Sequence, residues 1–459
     1  MGKLTKLRFS RNRFLRRVSS PCLPALGLLC VGTAGFAGQN QNPGQVQAAV
    51  PSQSAAQNET LPMPELPPEV PPAQRLTLAE ALRIAGQNNP QLAASVHQVA
   101  SAQANLFGQK QPLNPNLFVT GTTNTPSGLD PSDPTKYGVI YTVETSGRQR
   151  WRTGQARAQL QGIQADSVTT RLTVQQGTAS AYADLQAANG NLRTELEAYA
   201  TAKRLYDLTT KRVDLGDAPA SNATRTRIAL TQEEQNLFRA GSAVRQARAA
   251  LNVELGRNPD LLIDAADPLA FTPLTLKLED LQALALRSRP ELRSAEANRR
   301  ALDAVVKLQR SQYYPDLQLG ANPRTLGDRQ VQVSLALPLF DFGSIRGAVN
   351  KAKEDVKVQN AQIVQAQQQV RLDVQTAYIA LTQSQRLVTS FQDGILPRTQ
   401  TLLDQVQQGY ALGASSILDV IDAQQTYRTA RNDYNNALGD YRRALAQLQR
   451  ALGAPIPVR

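Results

Sequence analysis

The sequence contains an internal repeat, with an offset close to 200 residues between its two copies. The stretch LAEALRIAGQNNPQLAAS at 78–95 corresponds to LEDLQALALRSRPELRSA at 278–295. Farther along, Tyr182 corresponds to Tyr378. A correspondence kept over about 180 residues, with only small register changes, predicts two tandem copies of one structural unit. The predicted boundaries are a first copy at 75–257, a linker at 258–275 and a second copy at 276–454.

Each copy is predicted to contain the same series of elements. A short helix is followed by a second helix that begins at a proline, a residue that the first helical position tolerates. Two short strands, a very long helix, a glycine-containing turn and a return helix complete the copy. The long helices are predicted over 148–214 and 344–411, and the return helices over 222–255 and 417–452. At 1.5 Å per residue, each long helix forms a rod about 100 Å long.

Two features of the second copy refine this prediction. Gly394 and Pro397 interrupt its long helix, so we expect a kink or a bulge there. Its return helix repeats large apolar residues at steps of four and three, which is coiled-coil spacing and requires partner helices. These residues are Tyr434, Leu438, Tyr441, Leu445, Leu448 and Leu452.

Four short segments alternate apolar and polar residues, as strands with one apolar face do. In QVQVSLAL, the residues Val331, Val333 and Leu335 all occupy odd positions. The other three segments also carry apolar residues at odd positions, and all four lie within 115–146 and 315–343. The alternation suits a membrane barrel with lipid outside and water inside. The alternative is a small soluble sheet covered by helices.

A membrane interpretation requires several copies of the chain. Four strands cannot close a barrel, and open sheet edges are not tolerated in lipid. Two chains supply eight strands, a number whose barrel interior is filled by side chains, so conduction favours three or more chains. On this interpretation, Phe340 and Phe342 are aromatic residues of the membrane interface.

The segment 1–37 has the features of a secretory signal: a basic start, a short apolar stretch and small residues at its end. We expect cleavage after Ala37. The alternative is a transmembrane anchor, for which the apolar stretch is short and interrupted. Both cysteines, Cys22 and Cys30, lie in this segment, so the mature chain has no disulfide and no thiol chemistry. Lipidation of Cys30 is not expected, because Leu29 occupies the preceding position, where lipoprotein signals have a small residue.

The rest of the chain lacks the charge of a nucleic-acid-binding protein and the motifs of an enzyme. Seven of the 50 basic residues lie in 1–37, which leaves 43 against 37 acidic residues, a net charge of +6. That value is ordinary for a solvated surface. The segment 38–74, rich in Pro, Gln and Ser, is predicted to be a disordered arm. No Walker loop, dinucleotide fingerprint or nucleophile elbow occurs. We therefore predict no enzymatic activity, no cofactor, no metal site and no nucleic-acid partner.

Several motifs occur together along the two copies. They are the LTLAEAL…NNPQL opening and its repeat, PLFDFGSIRG, TAYIAL and GYALGASSILDVIDAQQTY. In these motifs the chain resembles the outer membrane efflux protein family, the TolC-type channels of Gram-negative tripartite pumps. The resemblance covers residues 76–454 and implies a homotrimer, with a twelve-stranded β-barrel in the outer membrane and a twelve-helix α-barrel tunnel through the periplasm. It also implies a periplasmic adaptor and an inner-membrane transporter as partners, and a passive export duct as the function.

The resemblance assigns roles to residues near the turn of the second copy. Asp419 and Asp422 match an aspartate pair that lines the tunnel constriction, and Tyr410 matches a tyrosine that helps to hold the tip closed. Two aspartates three residues apart share a helix face, and three copies form acidic rings that attract cations. The alternative is that acids near a helix start offset the macrodipole.

The turns themselves are the predicted docking region. Gly216 and Gly413 allow tight turns, and adaptor tips are expected to dock in the grooves around them. A helix C-cap without any docking role is the alternative. The family's closing arginine falls at Ser415 and its acidic partner at Asn222, so both members of that ion pair are missing. A closed state therefore rests on other contacts.

Two other functions compete with the duct. A periplasmic adaptor also has coiled-coil hairpins, but it needs one hairpin and flanking lipoyl-like β segments. A secreted coiled-coil structural protein or nucleic-acid-binding protein without a channel is expected to be soluble without detergent, and the latter to bind DNA in a salt-sensitive way. Selectivity for cargo lies mainly in the partner transporter, so the sequence specifies no cargo.

Overall fold

The computed structural model describes residues 74–120, 136–323, 329–336 and 341–456. All of them belong to one compact unit that spans 64–459. The predicted signal segment at 1–37, residues 38–73 of the predicted arm and Phe340 lie outside the described residues, and those assignments stay predictions. Gln74, the last residue of the predicted arm, instead begins a strand, because it pairs with a later segment of the chain.

Two copies of one element series follow each other along the chain, as predicted. The first copy contains β1 (Gln74–Leu76), α1 (Leu78–Asn88), α2 (Pro90–Lys110), β2 (Asn116–Thr120), β3 (Lys136–Val143), α3 (Arg148–Asp214) and α4 (Ala220–Glu254). Strand β4 (Ile263–Ala265) lies in the segment between the copies. The second copy contains α5 (Leu278–Ser288), α6 (Pro290–Arg310), β5 (Asp316–Pro323), β6 (Arg329–Ala336), α7 (Ser344–Ser390), α8 (Leu396–Ala411) and α9 (Ile417–Leu452). The described chain is mainly helical with a small β part and repeats one series of elements, which confirms these parts of the predicted fold class.

The second long helix is interrupted where the sequence predicts it. A π-helical turn, Phe391–Ile395, separates α7 from α8. Gly394 lies within it, and Pro397 follows in the first turn of α8. Since proline has no N–H to donate to the carbonyl one turn earlier, the hydrogen-bond ladder must be broken at this point. The equivalent helix of the first copy, α3, has no proline and runs unbroken over 67 residues.

Strands β2, β3, β5 and β6 form one antiparallel sheet in that order. The register pairs Leu117 with Val139, Tyr141 with Leu319, and Leu319 with Val333, so the odd-numbered apolar residues share one face. Much of that face is exposed in the single chain, with Val331 at 78%. Within the described residues, the outer strands β2 and β6 each pair on one side only.

The helices next to the sheet keep the order of the strands. α3 packs against α2 on one side and α6 on the other, and α6 packs against α7. Thr153 Oγ1 on α3 donates to the carbonyl oxygen of Gln109 on α2 at 2.9 Å. The return helices α4 and α9 pack along α3 and α7. None of the described helices has the length and the apolar character needed to span a bilayer.

A short parallel pair, β1 with β4, was not predicted from the sequence; it joins the start of the first copy to the segment between the copies. Tyr182 Oη donates to the carbonyl oxygen of Leu76 at 2.9 Å, and the repeat-equivalent Tyr378 Oη donates to that of Leu276 at 3.2 Å. Burial raises the pKa of Tyr182 to about 12, so its hydroxyl stays protonated as a donor. The two copies therefore share a tyrosine contact that fixes the entry of the short helix.

Each copy has its own apolar core, where the short, long and return helices meet. In the first copy Leu185, Leu251 and Leu255 are fully buried. The core of the second copy contains Leu438, Tyr441, Leu448 and Leu452 of α9, with Tyr434 and Leu445 packed against it. The coiled-coil spacing of α9 is thus satisfied by neighbouring helices.

Candidate channel constriction and hairpin tips

The two long helical hairpins end in the same tight turn. Gly216 and Gly413 have φ values of 80° and 79°. The N–H of Gly216 donates to the carbonyl oxygen of Val213 at 3.0 Å, and that of Asp217 to Arg212 at 2.8 Å. The second turn repeats the pattern from Gly413 to Tyr410 and from Ala414 to Gly409. This is the Schellman arrangement, in which a left-handed residue follows the helix. Both glycines are therefore helix caps, and their docking role stays a prediction.

An exposed leucine precedes each capping glycine. Leu215 is 77% exposed and Leu412 is 85% exposed. They occupy repeat-equivalent positions at the offset of 197 that the sequence shows in this region. Each tip therefore presents one large apolar side chain to its surroundings.

The aspartates of the predicted constriction lie at the start of α9. Asp419 and Asp422 are exposed, whereas Ile417, Val420 and Ala423 face the packed side. Asp419 also closes a capping box, because its carboxylate accepts from the N–H of Ser416 at 2.9 Å. Hydrogen bonds from Ser416 lower the pKa of Asp419, so it is charged at neutral pH. In the described part of the chain, neither carboxylate forms an ion pair.

Tyr410 connects the tips of the two hairpins. Its ring packs against the small core formed by Leu205, Ile417 and Val420. The guanidinium carbon of Arg212, at the end of α3, lies 5.3 Å from the ring centroid. This cation–π contact joins the first hairpin to the second. The sequence motifs did not reveal Arg212, because the contact depends on how α3 and α8 are placed side by side.

The positions of the missing ion pair have other roles. Ser415 lies over Gly409, so close that a Cβ on that glycine would fall 2.3 Å from the serine Oγ. The backbone N–H of Ser415 donates to the carbonyl oxygen of Gly409 at 3.2 Å. Asn222 lies in the first turn of α4, where its N–H donates to the carbonyl oxygen of Pro219 at 2.9 Å. Both residues serve the local turns.

A buried charge cluster lies farther along the helices, and sequence reasoning missed it. Arg428 on α9 bridges Glu195 on α3, at 3.4 Å, and Glu233 on α4, at 3.5 Å. Both carboxylates are buried. Burial raises the pKa of Glu233, while the charge of Arg428 opposes that shift. The three residues come from three separate segments and share no sequence motif.

Two salt bridges lie at the opposite end of the long helices, beside the sheet. Arg148 pairs with Asp316, and Arg152 pairs with Glu144 at 2.6 Å. Both acids occupy even positions, the polar side of the strand pattern. Over the described ranges, no cluster of three or more metal-ligating side chains occurs.

The architecture defines a class: a mainly helical chain with two long helical hairpins and a one-faced antiparallel sheet at the opposite end. Residues 81–257 and 281–454 match the family described as outer membrane efflux protein. The cobalt-zinc-cadmium resistance protein CzcC of Cupriavidus metallidurans is 25% identical over 394 residues, which cover 83% of this chain and 91% of CzcC. The toluene efflux pump outer membrane protein TtgC of Pseudomonas putida is 24% identical, over 71% of this chain and 69% of TtgC. The MtrE outer membrane channel of Neisseria gonorrhoeae superposes with a TM-score of 0.69 at 21% identity, covering 82% and 89% of the two chains.

The chain belongs to the outer membrane efflux protein family. It is an outer membrane channel for efflux in a Gram-negative cell, and its helices extend into the periplasm. The adaptor and structural-protein alternatives are not favoured, because the family match includes both copies. The family consists of channel-forming proteins and not of known enzymes.

Proposed function

We propose that three copies of this chain form one closed export duct. The observation that supports this best is the open four-stranded sheet, whose edges β2 and β6 are each paired on one side only among the described residues. Unpaired strand edges are costly in lipid. Three copies place β6 of one chain beside β2 of the next and close twelve strands into a barrel, with the exposed odd-numbered side chains facing lipid.

The helix layer continues this barrel as a tunnel in the same proposal. Since α2, α3, α6 and α7 keep the order of the strands, closure of the sheet also closes the helices. The duct is passive: it binds no nucleotide and depends on a transporter in the inner membrane for energy.

The constriction is assigned to Asp419 and Asp422. Their exposure on α9, opposite the packed residues, supports a position on a surface that water reaches. Three copies produce two acidic rings, which attract cations and raise the barrier for anions. The capping bond of Asp419 is compatible with this role, because the carboxylate stays charged while its orientation is fixed.

The hairpin tips are assigned to adaptor docking. Exposed Leu215 and Leu412 supply apolar contacts beside the turns at Gly216 and Gly413. The support for this assignment is that both tips carry an exposed leucine at the repeat-equivalent position, directly before the capping glycine. The comparisons do not favour one cargo. CzcC is named for resistance to cobalt, zinc and cadmium and TtgC for efflux of toluene, yet both resemble this chain to a similar degree. We therefore assign the choice of cargo to the transporter.

Membrane fractionation and mass measurement test the duct. After a carbonate wash, the mature protein should remain in the outer membrane fraction, and native mass spectrometry in detergent should give three chains per particle. A monodisperse monomer in plain buffer would overturn the proposal.

Conductance in planar bilayers tests the constriction. Asp419→Asn with Asp422→Asn should lower the ratio of cation to anion permeability, because the rings lose their charge. Asp404→Asn, which removes an exposed acid on α8, is the matched control and should leave the ratio unchanged. An unchanged ratio in the double variant would remove the constriction role and leave the capping role of Asp419.

A further inference from the structure

A basic cavity lies at the ends of the helices that adjoin the sheet. It has a volume of about 770 Å³ and is formed by the end of α2, the first turns of α3 and the last turns of α6. Its cationic residues are Lys110, Arg150, Arg157, Arg300 and Lys307, all of them exposed. The single acid in its lining is Asp303.

The only tryptophan of the chain lines this cavity. Lys307 Nζ lies 4.8 Å from the centroid of the Trp151 ring, and the guanidinium carbon of Arg150 lies 5.3 Å from it. Trp151 is half-buried and lies in the first turn of α3, next to the sheet. Tryptophan beside lysine and arginine is the composition found at the headgroup level of membrane proteins.

The arginines that α3 contributes to the cavity, Arg150 and Arg157, lie on the side of the helix away from the polar side of the strands. Arg148 and Arg152 reach Asp316 and Glu144, which lie on the polar, even-numbered side of the strands. At 100° per residue, Arg150 lies about 200° around α3 from Arg148. It therefore points away from the polar side, toward the side on which the odd-numbered apolar residues lie.

We propose that this cavity binds the phosphate headgroup of an anionic phospholipid in the leaflet that faces the periplasm. The inference rests on the proposed membrane position of the strands. Five cations against one acid give the charge complementarity for a phosphodiester. The Trp151 ring lies beside two of these cations in the first turn of α3, which follows the strands directly, at the level where the glycerol backbone of a lipid meets its headgroup.

A lipid fits this cavity better than a free anion in solution. The cations are exposed and converge on an open groove, so a soluble phosphate keeps its hydration and gains little. A lipid is already held next to the apolar strand face, such as Leu317 and Leu319 of β5, and needs only to place its headgroup. α3 has α2 and α6 of its own chain on either side, so this groove lies away from the sheet edges where neighbouring copies meet.

Fluorescence of Trp151 reports on this site directly, because the chain has no other tryptophan. The full-length protein is reconstituted in nanodiscs that contain phosphatidylcholine and a small fraction of one brominated lipid. Brominated phosphatidylglycerol should quench Trp151 more strongly than brominated phosphatidylcholine at the same fraction. Titration of each brominated lipid gives the affinity for phosphatidylglycerol relative to phosphatidylcholine. In the double variant Arg150→Gln and Lys307→Gln this affinity ratio should fall about 30-fold, because each removed cation contributes about 1 kcal/mol to the binding free energy.

Two further variants make the result specific. Arg157→Gln with Arg300→Gln removes two cavity cations without touching the pair stacked on Trp151, and should also weaken the preference. Lys211→Gln with Arg225→Gln removes two exposed cations near the hairpin tips and should leave it unchanged. Each preference is a ratio within one variant, which cancels any change in the fluorescence of Trp151 itself.

The outcomes separate this inference from the duct proposal. Equal quenching by the two lipids in a carbonate-resistant trimer overturns the headgroup site and leaves the duct in place. Displacement of the brominated lipid by inorganic phosphate overturns the lipid as occupant. A protein that carbonate extracts, with no quenching by either lipid, overturns the membrane position itself.

Discussion

Gly256 and Gly453 each end a return helix where another backbone comes close. Both have left-handed φ values, 67° and 68°. A Cβ on Gly256 would fall 2.4 Å from the carbonyl oxygen of Asn88, whereas one on Gly453 would fall 3.2 Å from the nearest backbone atom, the Cα of Arg289. The junction between the first two helices of each copy is therefore packed against a glycine, more tightly in the first copy.

We expect Gly256→Ala to destabilise the protein more than Gly453→Ala. Both variants bear a left-handed penalty of about 1–2 kcal/mol, and Gly256→Ala adds a clash with backbone that cannot move freely. Thermal unfolding followed by circular dichroism measures the difference. Gly86→Ala, in α1 with open space around it, is the control and should be neutral or stabilising. Equal losses for the two variants would contradict the packing difference.

The buried cluster around Arg428 predicts a pH effect on stability. Burial raises the pKa of Glu233 above its ordinary value of 4.5. The native state therefore keeps a proton that the unfolded state has already lost, and the stability from this group is lost as the pH rises through the folded pKa. In Glu233→Gln the side chain stays neutral, so the melting temperature should fall less than that of the wild type as the pH is raised from 4.5. Glu234→Gln should behave like the wild type.

The family resemblance predicts that Tyr410 helps to hold the tip closed, and its contact with Arg212 makes this role testable. Arg212→Gln removes a cation–π contact worth about 0.5–1 kcal/mol, so the open fraction of single channels should rise by about two- to fivefold. Planar-bilayer recordings measure it. Arg225→Gln, an exposed charge on α4, is the control. An unchanged open fraction would show that this contact does not hold the tips together.

At the scale of elements, the two faces of β6 should respond differently to charge. Val333 is 65% exposed on the apolar face, while Gln332 lies on the polar face. Val333→Lys places a charge in lipid at a cost of about 2–4 kcal/mol near the bilayer midplane. It should reduce the amount of heat-modifiable trimer in outer membranes, and Gln332→Lys should not. The reverse order would mean that the faces are assigned the wrong way round.

The elements that the sequence predicted are those with strong local signals. The bounds of α3 were predicted because no proline interrupts the chain from Arg148 to Asp214, and glycine-containing turns precede and follow it. The interruption of the second long helix was predicted from Gly394 and Pro397. The pair of β1 with β4 was missed because two three-residue strands, far apart in sequence, carry no periodicity that can be read.

The residues of the candidate site also fall into those that the sequence could propose and those that it missed. Asp419, Asp422, Gly216 and Gly413 could be proposed from the sequence because they belong to a motif or a turn within one segment, and their channel and docking roles stay predictions. Arg212 and the buried cluster of Arg428 were missed because their partners lie on other helices. Contacts across the layer depend on the rotation of each helix about its axis, which short motifs do not specify.

For the whole molecule, cysteine cross-links test how the copies close. The mature chain is expected to have no cysteine of its own, since Cys22 and Cys30 lie in the signal segment. Leu117→Cys on β2, combined in turn with cysteine at Val331, Val333 or Leu335 on β6, should give a covalent trimer for the pair that lies in register. Phe118→Cys points to the other face and should give none with the same partners. Products limited to dimers would contradict a ring of three copies.

The break at Phe391–Ile395 occurs in one of the two long helices only. The tips differ as well, with Gly-Asp-Ala-Pro after the first long helix and Gly-Ala-Ser-Ser after the second. A ring of three such chains therefore ends in six hairpin tips of two different shapes, which alternate around the end of the tunnel. An adaptor that binds every hairpin tip must accept both shapes, and six copies can then bind. An adaptor that recognises one shape binds at three positions and leaves every second position empty.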